Sequence, residues 1–88
     1  MFEWDEAKRQ ATIAERGLDF IDAVLAFDGR PTLSAPAIQN NEARFLTVTL
    51  IEGKFHAVIW MWRGNNRRII SFRRARDDEE RAYRALHG

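Results

Sequence analysis

Cysteine is absent from this 88-residue sequence, and proline and histidine occur twice each. Without cysteine there is no disulfide, no thiolate metal site and no cysteine nucleophile, which fits a reducing compartment. His56 and His87 stand far apart with no partner pattern around them, so no metal-ligand spacing is visible and no metal is expected. A glycine-rich phosphate loop is missing. So is a serine in a G-x-S-x-G elbow. No stretch approaches the roughly 20 apolar residues of a membrane span. The opening MFEWDEAKRQ has charges throughout and no apolar run, unlike a secretory leader. These absences lead us to expect a soluble cytoplasmic protein without membrane or cofactor. The length fits one domain, residues 1–88.

What is present is an uneven charge distribution. The net charge is +1. Residues 1–43 carry four basic and eight acidic side chains, whereas 44–76 carry eight basic side chains and one acid, Glu52. A segment so lopsided can attract a polyanion even in a nearly neutral chain. The plainer reading is a solubilising face.

The order of elements reads as mixed α+β. Asp5 can cap a first helix, which Gly17 ends. Along it Trp4, Ala7, Ala11 and Ala14 recur at helical spacing, with Ile13 at the margin of the stripe. Asp19 restarts a second helix, with Phe20, Ile21, Val24 and Leu25 on one face and Gly29 and Pro31 as its stop. Residues 29–43 hold both prolines and read as a loop, with room for a short edge strand near Leu33 or Ile38. From Arg44 the apolar period becomes two. RFLTVTLI, KFHAVIWMWR and RRIISFRR make three strands, joined by turns at Glu52-Gly53 and Gly64-Asn65-Asn66. DDEERAYRALHG closes the chain as a helix whose charges suit its dipole. The expectation is two N-terminal helices, an antiparallel sheet of three to four strands and a C-terminal helix.

Two-residue turns set Phe45 opposite Trp60, Thr49 opposite His56, Trp60 opposite Ile69 and His56 opposite Arg73. Two layers then separate. One holds Leu46, Val48, Leu50, Phe55, Ala57, Ile59, Met61, Ile70 and Phe72. It is nearly all apolar and is expected to be the helix-covered core, since burying each large side chain is worth roughly 1.5–3 kcal/mol. The other holds Phe45, Thr47, Thr49, His56, Val58, Trp60, Trp62, Arg67, Ile69, Ser71 and Arg73. Arginines among aromatic rings suit single-stranded RNA, with guanidinium on phosphate and ring on base. The alternative is that Trp60 and Trp62 close a second small core under the C-terminal helix. His56, a lone histidine on a polar face, is more often an ordinary hydrogen-bonding residue than a catalyst. RNA also suits arginine-rich, metal-free chemistry. Its 2′-hydroxyl is a built-in nucleophile, which arginines can orient while stabilising the transition state.

The ordered set FEWDEAK (2–8), RGLDF (16–20) and RIISFRRA (68–75), closing with Glu80 and Tyr83, resembles the BrnT toxins over nearly the whole chain. The resemblance implies a RelE-like fold and a metal-independent endoribonuclease of a type II toxin–antitoxin system that cleaves RNA and blocks translation. It further implies a BrnA-type antitoxin with a ribbon-helix-helix DNA-binding part, pairing two toxins through its own dimer. Trp4, Asp5 and Lys8 fall on the family's opening motif. Arg44 begins the first long strand, Arg63 sits at the central turn, and Arg68, Ser71, Arg73 and Arg74 fall on the last-strand motif. Thr12, Arg16 and Trp60 depart from the usual asparagine, histidine and tyrosine. The expected catalytic set is Arg63, Arg73, His56 and Arg44. The expected RNA contacts are Arg67, Trp60, Ser71, Arg74 and Lys54. From another class, a non-catalytic RNA- or protein-binding module of the same fold would use the same side chains.

Overall fold

In the computed structural model, which describes Met1–Gly88, five strands form one sheet in the order β1-β5-β4-β3-β2. The strands are β1 (Phe2–Glu3), β2 (Leu33–Gln39), β3 (Glu42–Ile51), β4 (Lys54–Arg63) and β5 (Asn66–Arg74). The helices are α1 (Glu6–Arg16), a single turn α2 (Phe20–Ala23) continued by a 3₁₀ turn at Val24–Phe27, and α3 (Asp77–His87). The fold is α+β as expected, but with more strands. β1 precedes the first helix and pairs parallel to β5, and β2 is the edge strand allowed near Leu33 or Ile38, seven residues long and spanning both. β2 tolerates Pro36 because it is an edge strand, where a missing N–H can face solvent.

The local signals for α1 work as the sequence suggests. The Asp5 carboxylate accepts the Lys8 backbone N–H at 3.0 Å, and Gly17 closes the helix with φ 68°. The face it buries does not match. Ala7, Ala11 and Ala14 are exposed, while Thr12 is buried and Arg9 and Ile13 half-buried. An alanine methyl buries too little area to set a helix's rotation. Here Arg9 bonds Asp19 at 2.8 Å, and Arg16 donates to the Phe72 carbonyl at 3.0 Å. The second helix also turns differently from expectation: Phe20, Ala23 and Ala26 point inward, and Ile21 is exposed.

The β3–β4 register is the expected one, with Phe45 opposite Trp60 and Thr49 opposite His56. The β4–β5 register is as expected from Trp62–Arg67 to Trp60–Ile69, then slips at a bulge. Beyond it Ile59 faces Ser71, Val58 faces Phe72 and His56 faces Arg74, with Ile70 left unpaired. One extra residue exchanges the two sides of the strand after it.

The core lies on the side opposite to that expected. α2 and the 3₁₀ turn set Phe20, Ala23 and Ala26 against Ile51, Val58, Trp60, Ile69 and Phe72. Phe2, Trp4, Leu18, Leu25, Phe27 and Phe45 complete this cluster. The buried threonine hydroxyls of the layer each have a partner, which removes most of the cost of burial, whereas Arg67 Nε is buried without a hydrogen-bond partner. Thr47 Oγ1 accepts the Trp60 indole N–H at 2.8 Å and lies 2.8 Å from Ser34 Oγ. The Thr49 hydroxyl donates to the Pro31 carbonyl at 2.7 Å. On the other face α3 covers only one end, where Tyr83 meets Phe55 edge-on, beside Val48, Leu33, Leu46 and Ala75. Ile59, Met61 and Ile70 stay half-buried and Leu50 is exposed.

Candidate nucleic-acid interface

The uncovered part of that face is a basic cleft. One depression of about 430 Å³ is lined by Lys8, Gln39, Arg44, Ser71, Arg73 and Arg76, with Ile59 and Ile70 as apolar floor. A second, of about 290 Å³, adjoins it through the shared Arg44 and Ile70, and adds Arg63, Arg68, Glu42 and Met61. α1 brings Lys8, β3 brings Arg44, β4 brings Arg63, and β5 brings Arg68, Ser71 and Arg73. The bulge is what places Ser71 and Arg73 here, since an unbroken β5 would aim them at the helices.

The six cations of the cleft fall into two kinds. Three are gripped. Arg44 bonds Glu42 at 2.9 Å and Gln39 at 3.2 Å, Arg68 bonds Glu3 at 3.1 Å, and Arg73 bonds Glu79 at 2.8 and 2.9 Å. The Arg73 guanidinium holds the Glu79 carboxyl below its ordinary range, helped by the Arg76 backbone N–H. Lys8, Arg63 and Arg76 form no ion pair. Gripped guanidiniums have fixed fork directions, suited to meeting a phosphate in one geometry. The free cations supply field and reach.

Of the nine residues expected to be catalytic or to contact RNA, Arg44, Arg63, Ser71 and Arg73 come together here, beside Lys8 and Arg68 of the motif resemblance. The other five lie on the helix-covered side. Trp60 is 6% exposed, ringed by Phe27, Phe45 and Trp62, and offers no open face to a base. Arg67 stacks on Phe27, Trp60 and Trp62, its centre 4.7–5.3 Å from their rings. Arg74 donates to the Phe55 carbonyl at 3.2 Å. His56 is 5% exposed and lies against Phe72, with ring centres 5.2 Å apart. Burial pushes its imidazole below the ordinary 6.5. With Lys54 it lines a separate depression beside Gly17 and Asp22. Arg76, which ends the basic segment 44–76, and Gln39 and Glu79 stand outside the expected catalytic and RNA-contact sets. A capping position three residues into a helix was the available signal for Glu79. Nothing local marked Gln39. Nowhere do three histidine, aspartate or glutamate side chains gather as a metal site requires.

Fold and cleft together describe a small α+β protein with a preformed cationic face, the class of surface that meets a phosphate backbone. The family model described as "Ribonuclease toxin, BrnT, of type II toxin-antitoxin system" matches residues 4–79, and the chain belongs to that family. No curated protein matches it in sequence. A toxin of a type II system has a protein antitoxin as its partner. No helix is long and apolar enough to cross a membrane.

Proposed function

We propose that the protein is a metal-independent endoribonuclease that binds an RNA strand across the β3–β4–β5 cleft, cleaves it and so inhibits translation and growth in the cytoplasm. The observation that carries this reading is the continuous cleft, in which cations from one helix and three strands converge on an apolar floor. In the proposed step a 2′-oxygen attacks the adjacent phosphorus and the bond from phosphorus to the 5′-oxygen breaks. The 2′-proton leaves to water and the departing 5′-oxygen takes one up, giving a cyclic phosphate and a 5′-hydroxyl. Arg44, Arg63 and Arg73 hold the charge that grows on the phosphoryl oxygens. Ser71 positions the backbone. Lys8, whose ammonium has protons to give and no carboxylate to hold it, serves the leaving oxygen. A BrnA-type antitoxin is the proposed neutralising partner, joining two toxins through its dimer.

The test is expression of the chain alone with RNA integrity followed over time, beside cleavage of a synthetic RNA by the purified protein. RNA should fragment and growth should stop, and Arg73→Ala should slow cleavage roughly 100–1000-fold and relieve the growth arrest with the fold intact. RNA that is bound but stays whole would move the reading to a non-catalytic binding module.

A further inference from the structure

Arg73 is held more tightly than any other cation of the cleft, and by an unusual residue. Its partner Glu79 has the least exposed carboxylate of all the ion pairs, with 10% of the side chain accessible. Glu79 accepts both terminal nitrogens of the guanidinium, at 2.8 and 2.9 Å. It also accepts the Arg76 backbone N–H at 2.8 Å, capping the first turn of α3. Arg76 has a donor-only side chain and returns no cap, so Glu79 carries both duties alone. One carboxylate thus fixes two things against each other, the N-terminus of the helix that seals one end of the sheet and the fork that lines the cleft.

We infer that Glu79 is a positioning residue for RNA cleavage, setting the direction in which Arg73 presents its remaining N–H groups to the phosphate. The inference rests on the cleft being the cleavage site. Three features separate it from an incidental ion pair. The contact is two-pronged, so it fixes the plane of the guanidinium as well as its place. It comes from outside the cleft lining, so the free N–H groups of Arg73 remain available to a strand lying along it. Its geometry is also its own among the cleft arginines: Arg44 sets two nitrogens on one oxygen of Glu42, a residue of the cleft lining itself, whereas Arg73 meets both oxygens of Glu79. Charge alone would not call for this. A phosphate would be drawn better by an unpaired Arg73, so pairing it gives up attraction in return for direction. Misplacing a catalytic group by about 1 Å costs on the order of 100-fold in rate.

The test is a kinetic cycle on the full chain with a synthetic RNA. Glu79→Gln keeps an amide oxygen for the Arg76 N–H, so α3 stays capped, but it cannot grip both guanidinium nitrogens. We expect kcat to fall roughly tenfold to 100-fold while KM moves little. In an Arg73→Ala background the same change should have almost no further effect on kcat. Equal losses in both backgrounds would make Glu79 merely structural and overturn the inference. So would a rise in KM at constant kcat, or an unchanged or faster enzyme. If Arg44→Ala, Arg63→Ala and Arg73→Ala all cleave like the parent, the cleft itself is misread and the inference goes with it. Loss in Arg44→Ala and Arg63→Ala with Arg73→Ala unaffected would overturn the role of Glu79 alone.

Discussion

The two faces of the sheet invert what their residue types suggest. The face rich in threonine, histidine and tryptophan is the sealed one, and the nearly unbroken aliphatic face is half open. The difference lies in what covers each side. The helix-covered side receives α2, the 3₁₀ turn and the flanks of α1, and it offers the aromatic area needed to fill that space. The other side receives one short helix bearing a single large inward residue, Tyr83. Apolar alternation reports which residues share a face. It does not report how much structure lands on that face, and paired hydroxyls are no bar to burial.

The comparison is broken most sharply by removing bulk from each side. Trp60→Ala should cost about 3–5 kcal/mol through a core cavity. It also removes the indole N–H that Thr47 Oγ1 accepts, leaving that hydroxyl with Ser34 alone. Ile59→Ala, half-buried on the cleft floor, should cost less. Chemical denaturation of both variants measures this, and equal losses would mean that the open face is as much a core as the sealed one.

The arginines sharpen the same contrast in function. Arg63→Ala should leave stability within about 0.5 kcal/mol. It should slow cleavage roughly 100–1000-fold, the effect of losing one transition-state contact. Arg67→Ala should do the opposite. It removes a guanidinium stacked on three rings, worth about 0.5–2 kcal/mol, and should leave cleavage near the parent rate. A melting curve beside an RNA-cleavage time course reads both. If Arg67→Ala loses cleavage while remaining folded, RNA reaches the aromatic side as well.

Much of this was legible in the residues, and the failures have identifiable causes. Asp5, Gly17 and Asp19 act over one or two turns, so their caps could be read from neighbours alone. The β3–β4 pairing followed from a two-residue turn in which Glu52 and Gly53 both take left-handed backbone angles. The bulge at Ile70 had no such marker, because no glycine or proline stands beside it. Yet it turns Ser71 and Arg73 toward the cleft. The sequence puts these two on the uncovered face only through two errors that cancel, a reversed choice of face and an unseen slip of register. Phe72 was rightly expected in the core for the same pair of reasons. The proline of β2 left only a short edge strand legible where seven residues pair, and β1 is two residues long, too short for any period to show. The gripped arginines depend on Glu3, Gln39, Glu42 and Glu79, of which only Glu3 is brought from far along the chain, 65 residues from Arg68.

His56 gives the smallest effect and separates two roles that the sequence could not. Its Nδ1 lies 2.9 Å from the Lys54 carbonyl oxygen. A carbonyl only accepts, so Nδ1 carries the proton and Nε2 is the bare nitrogen of the neutral ring. Burial is the main force lowering its pKa from 6.5. The nearby charges of Arg74 and Lys54 add to it, and the bond to Lys54 opposes it. With a depressed pKa in the fold, the unfolded chain binds a proton that the folded chain refuses. Stability is therefore full above pH 6.5 and declines as pH falls toward the folded value. The depressed carboxyls of Glu6, Asp19, Asp28 and Glu79 act in the same direction only at lower pH, below their ordinary values of 3.8–4.5. Between about pH 7.5 and 5.5 the slope should accordingly belong largely to His56. His56→Asn should flatten that slope in denaturation midpoints while RNA cleavage at neutral pH persists. Retained slope would assign the pH dependence elsewhere. Cleavage lost in a fully folded His56→Asn protein would return this histidine to the reaction and with it the helix-covered edge of the sheet to the site.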